Sequence, residues 1–160
     1  MASFGSWLSQ HNYRLALFST DIWFDAPTIE DLKTALKADN VESHRITHKP
    51  IGAFDELLEQ LSSTDYVVTC RFHGVVFAHM LNKPVLAISH HPKVSKLMND
   101  LGLAKYCVDI RRSDPTVLAE TFTALVNNSG EIKNRMAEKL RDYRRDLSMQ
   151  FDQLFPVEAT

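Results

Sequence analysis

The strongest constraint on this 160-residue chain is an alternation. Five short apolar runs, RLALFST (14–20), VESHRIT (41–47), DYVVTC (65–70), PVLAIS (84–89) and YCVDI (106–110), are each followed by a segment of helical period. Runs this short suit strands better than helices, and the segments between them are long enough for crossover helices. The runs at 66–69 and 85–88 are continuously apolar and rich in valine and isoleucine, as in central strands covered on both faces. Strand and helix alternating five times predicts an α/β fold with a doubly wound parallel sheet and right-handed crossovers.

Helix starts are legible at four places: Thr28 with Asp31 three residues on, Asp55 and Glu56 before LLEQL, Pro92 opening a segment through Leu101, and Asp114-Pro115 before TVLAETFTALV. Gly102 follows Leu101 as a stop. From Ser129 to about Leu154, Ile132, Met136, Leu140, Tyr143, Leu147, Phe151 and Leu154 recur at steps of four and three. That is the stripe of one long helix, about 39 Å at 1.5 Å per residue. A compact chain of this length has a radius of gyration near ~15 Å, so such a helix packs along its own sheet or reaches beyond it. The expected organisation is a linker or the end of a preceding helix (1–12), a Rossmann-like domain (13–127), and a long amphipathic C-terminal helix (128–160) packing on that domain or on a missing N-terminal one.

A net charge of -2 argues against general nucleic-acid binding. No apolar run reaches membrane-spanning length, and MASFGSWLSQ has neither the basic start nor the apolar stretch of a signal peptide, which places the protein in the cytoplasm. Cys70 and Cys107 lie in apolar runs without metal or redox spacing and read as buried thiols. No GxGxxG, Walker lysine loop, GxSxG or HExxH occurs, and with 5 glycines there is no glycine-rich phosphate loop.

Ligands of parallel α/β sheets lie outside the carboxyl ends of the strands. That edge should carry Asp21, His48, Arg71, His73, and the segment Ser89, His90, His91 to Lys93. Helix N-termini favour acids, and three of the predicted helices have them: Glu30 and Asp31, Asp55 and Glu56, and Asp114. Two do the reverse: Arg71 and His73 lead into GVVFAHML, and Lys93 and Lys96 follow Pro92. An anion supplied from outside, best a phosphate, accounts for both inversions through free N–H groups, a guanidinium and an ammonium. Taken singly, Arg71 could pair with Asp21 or Asp109, and His73 could be a satisfied half-buried histidine. His90-His91 lacks the spacing of a metal site, and no metal is expected. His79 falls on an apolar helix face and reads as core or interface.

The run DYVVTCRFHGVVFAHMLNKPVLAISHHPKVSKLMNDLGLAKYCVDI resembles the C-terminal half of the polysaccharide pyruvyl transferase family in its Arg-x-His after a buried strand, its Lys-Pro-Val strand, its Pro-Lys and its Leu-Gly, over about residues 13 to 110. The resemblance implies a GT-B type two-domain enzyme that transfers the enolpyruvyl unit of phosphoenolpyruvate to a saccharide hydroxyl, usually as a pyruvate ketal, with no cofactor. Arg71 and Lys93 would then contact the donor phosphate or carboxylate, with Ser89 and His91 beside them. His73 would be the general acid, and Asp21, His48 and His90 are further candidates. His90-His91 stands where the family usually has an aromatic-acid pair. FGSWLSQHNYRLALFS reads as the last turn of a helix entering the first strand, so an acceptor-binding N-terminal domain is expected to be missing and the chain to be inactive alone. Two other readings remain: the nucleotide-sugar-binding domain of a GT-B glycosyltransferase, with Glu120 as the candidate ribose ligand, and a non-catalytic interaction domain docking through the Ile132 to Leu154 stripe. Exposure of that stripe would also favour a homo-oligomer.

Overall fold

The computed structural model describes residues 1–19 and 22–155, with the backbone alone for 22–25. Its strands are β1 (Leu15–Leu17), β2 (Ile46–His48), β3 (Val67–Thr69), β4 (Val85–Ser89) and β5 (Cys107–Asp109), and its helices α1 (Ala2–Gln10), α2 (Ile22–Ala38), α3 (Phe54–Ser62), α4 (Phe72–Met80), α5 (Pro92–Asp100), α6 (Pro115–Asn127) and α7 (Ser129–Leu154). All pairings are parallel, in two ladders: β1 with β2, and β3-β4-β5. At the feet of β1 and β3 the rings of Tyr13 and Tyr66 meet edge to face, centroids 6.4 Å apart. This is the predicted α/β, Rossmann-like fold with its long C-terminal helix.

β4 is the central strand, with Val85, Leu86, Ala87 and Ile88 all buried. Helices α4, α5 and α6 pack on it, bringing in Val75, Val94, Met98, Leu118, Phe122 and Leu125. Phe4 and Leu8 of α1 belong to the same core.

Four helices end in one way. Asn12, Asn40, Asn82 and Gly102 have φ of 66°, 61°, 53° and 69°. The next residue in each case donates its N–H five residues back: Tyr13 to Leu8, Val41 to Leu36, Lys83 to Ala78 and Leu103 to Met98. These are Schellman ends, and asparagine takes the left-handed position in three because it tolerates that region better than other side chains. Lys83 adds a second clasp, donating from Nζ to the carbonyls of Ser62 and Thr64, each at 2.6 Å, at the end of α3.

Two expectations are corrected. Helix α2 begins at Ile22 and runs through Pro27, so Thr28 is not its cap and Glu30 and Asp31 are not in its first turn. A capping pair is a local signal that does not forbid extension, and Pro27 removes only one helical donor. Cys70 is exposed, because the chain leaves β3 at Thr69 and bends there; Cys107 is half-buried, and burial, followed by the charge of Asp109, pushes its thiol up.

The stripe on α7 divides. Ile132 and Met136 are buried in the domain core, whereas Tyr143, Leu147 and Phe151 are 44%, 54% and 56% exposed. Where the stripe leaves the core, Tyr143 stands edge-on to His79 of α4, centroids 6.2 Å apart. His79 is 6% exposed and neither ring nitrogen has a hydrogen-bond partner among the described residues. Burial pushes its pKa down. The unfolded chain takes up this proton near pH ~6.5, whereas the folded chain resists it, so the group's contribution is intact above that pH and is lost as pH falls below it. Urea unfolding at pH 7.5 and 5.5 should show a smaller loss for His79→Leu than for the parent; equal losses would clear His79 of this role.

Candidate active site

The crossovers after β3 and β4 open on the same edge, because those strands are parallel neighbours in register, Thr69 opposite Ala87, and because α4 and α5 pack against each other. Neither helix has an acid in its first turn. Arg71 is the N-cap residue of α4, half-buried and extended (φ -95°, ψ 138°), with no side-chain cap. Its backbone N–H donates to Thr69 Oγ1 at 3.1 Å. Thr69 also lies against Gly74, where an added Cβ would sit 3.0 Å from Thr69 Cβ and overlap its hydroxyl. Glycine at 74 is what lets the first turn of α4 come down onto the end of β3.

His73 is exposed and makes no hydrogen bond among the described residues. Its ring stacks on Phe77 (6.1 Å, 23°) and meets Phe72 edge-on (5.7 Å). Phe77 in turn meets Phe54, the first residue of α3, at 5.3 Å. Phe54 and Phe72 remain 53% and 39% exposed. Sequence reading missed this aromatic row, since its members come from two helices.

At the start of α5, His91 is the N-cap, its Nδ1 accepting from the Lys93 N–H at 3.2 Å. Ser89 Oγ donates to the His91 carbonyl at 3.1 Å. Both side chains therefore shape the β4–α5 turn. The Lys93 ammonium is exposed and has no partner among the described residues, and His90 is exposed beside it.

Asp109, one of the two acids considered for Arg71, is taken up by Arg111, which donates from Nε at 3.0 Å, from its second guanidinium nitrogen at 2.6 Å and from its backbone N–H at 2.8 Å. These bonds hold the carboxyl well below the usual range. Asp109, Arg111 and Arg112 line a depression of about 390 Å³ at the end of β5. Arg111 is thus paired, Arg112 adds positive charge at the end of β5, and sequence reading passed over both because they lie in a single 3-10 turn, Ile110–Arg112, with no helical period to mark it. Asp21, the other acid, lies outside the described residues. His48 ends β2 with Nδ1 3.9 Å from Glu30 Oε1, which also accepts from Lys33 Nζ at 2.8 Å, and that bond chiefly lowers the Glu30 carboxyl. Glu30, in the middle of α2, thus stands beside the end of β2.

The larger cavity, about 890 Å³, lies elsewhere, between α1 and α6, and holds Glu120 but none of the candidate anion ligands. Among the described residues no three His, Cys, Asp or Glu side chains gather as a metal site, and no helix is long and apolar enough to cross a membrane.

A family model described as polysaccharide pyruvyl transferase matches residues 3–92. It thereby takes in Arg71, His73 and the β4–α5 turn as far as Pro92. A search of curated proteins finds no match.

Proposed function

The chain belongs to the polysaccharide pyruvyl transferase family, and from that premise we propose that its cationic edge binds phosphoenolpyruvate and transfers the pyruvyl unit to a saccharide. Arg71 and Lys93 hold the phosphate and carboxylate, helped by N–H groups at the start of α4. A sugar hydroxyl adds to C2 of the donor while His73 delivers a proton to C3, turning the methylene into a methyl group. A second hydroxyl of the same sugar then displaces phosphate from C2, closing the ketal. Histidine suits the proton step because its unperturbed pKa lies near neutrality. On this reading a second domain in a GT-B arrangement brings the acceptor, and the reaction takes place in the cytoplasm.

The observation that carries the proposal is that two adjacent helices begin with cations where acids are favoured. Titration calorimetry with phosphoenolpyruvate should show saturable binding, with no comparable heat from UDP- or GDP-sugars. Lys93→Ala should weaken donor binding about tenfold or more, the scale of one charge-assisted hydrogen bond. An unchanged dissociation constant would remove Lys93 from the site, and selective binding of a nucleotide sugar would replace the donor reading.

A further inference from the structure

We infer that Thr69 is a positioning residue for this site, an inference that rests on the donor reading above. Arg71 and His73 sit on the first turn of a nine-residue helix whose N-cap residue supplies no side-chain hydrogen bond. The side chain of Thr69, the last residue of β3, ties that turn to the sheet in two directions. Its hydroxyl accepts the N–H of Arg71 at 3.1 Å, closing a turn of the kind threonine makes with the residue two ahead. The rest of the side chain lies against Gly74, with Cβ and Cγ2 3.0 Å and 3.1 Å from where a Cβ there would stand. One stiff β-branched side chain is thus wedged between the two ends of the segment bearing the proposed donor ligand and acid. Its hydroxyl sets the backbone direction at Arg71, and its bulk sets how deeply the helix seats.

The two functions separate by substitution. Thr69→Val keeps the shape against Gly74 and removes the acceptor, whereas Thr69→Ser keeps the acceptor and removes only a methyl group. Thr69→Val should weaken phosphoenolpyruvate binding about fivefold to tenfold, the scale of one lost hydrogen bond, and should shift the Arg71 amide and His73 ring resonances. Thr69→Ser should stay within about twofold of the parent in affinity and restore those resonances, a rescue that a loss of packing alone would not give. Amide exchange of Val85–Ser89 monitors the core in both variants. Affinity and resonances in Thr69→Val equal to the parent's would overturn the inference, as would equal defects in the two variants. Should the parent itself fail to bind phosphoenolpyruvate, the donor reading falls, and the resonances alone decide whether Thr69 sets the geometry of Arg71 and His73.

Discussion

Gly74→Ala should lower the stability of the protein by about 2 kcal/mol, although it replaces a helical glycine by the best helix former. Helix propensity favours the change by about 1 kcal/mol. Against it stands overpacking, which costs about 1–3 kcal/mol and sometimes more, and an overlap with a side chain this firmly held belongs at the top of that range, about 3 kcal/mol. The second effect wins because the new methyl would overlap the side chain of Thr69, whose branched Cβ is fixed by the end of β3 and whose hydroxyl already holds Arg71. The helix must lift off the strand instead. For a chain of this size the melting temperature should fall by roughly 4–8 °C. Gly130 serves as the control: a Cβ added at this position in α7 would meet nothing within 4 Å, so Gly130→Ala should be neutral or slightly stabilising. Thr69→Ala combined with Gly74→Ala should recover part of the loss, because the hydroxyl and methyl that collide are gone. A calorimetric melting temperature for Gly74→Ala at or above the parent's would show that α4 is not seated by this contact.

His73→Ala should cut turnover by about 10²–10⁴, the usual contribution of a positioned general acid. The relevant assay uses the complete enzyme, with the domain proposed to bring the acceptor, supplies phosphoenolpyruvate and a saccharide acceptor, and follows phosphate release. Donor affinity should stay within about twofold, because the charge that holds the donor comes from Arg71 and Lys93. The ring stands exposed on the aromatic row of Phe72 and Phe77, with no hydrogen bond among the described residues to lose, so the substitution should leave the fold intact. Equal turnover in parent and variant would discard the acid role. A matching loss of donor affinity would make His73 a binding residue instead.

Most of the framework is legible along the chain because it rests on local patterns. The buried run at 85–88 is the central strand β4, Asp114 caps α6 by accepting from the N–H groups of Thr116 and Val117, and α7 spans Ser129–Leu154 as its stripe indicates. The edge residues are also legible, since a parallel sheet sends every strand end to one side and the cations stand at two of those ends. Other features are not. The start of α2 escapes a sequence reading because a capping pair looks the same inside a helix as at its beginning. The exposure of Cys70 escapes it too, because hydropathy alone does not locate the residue at which a strand ends.

The amino-acid order by itself determined the α/β alternation, the helix stop at Gly102 and the presence of two helix starts carrying positive charge, all of which depend on residues a few positions apart. Only the tertiary structure decided that Thr69 braces Arg71 against Gly74, that Phe54 joins the ring row beside His73, and that the α7 stripe is buried at Ile132 and open from Tyr143 onward. The reason is physical. Hydrophobic periodicity and capping act over one or two turns, whereas contacts between separate elements depend on how closely each helix settles on the sheet, and a single missing Cβ can set that depth.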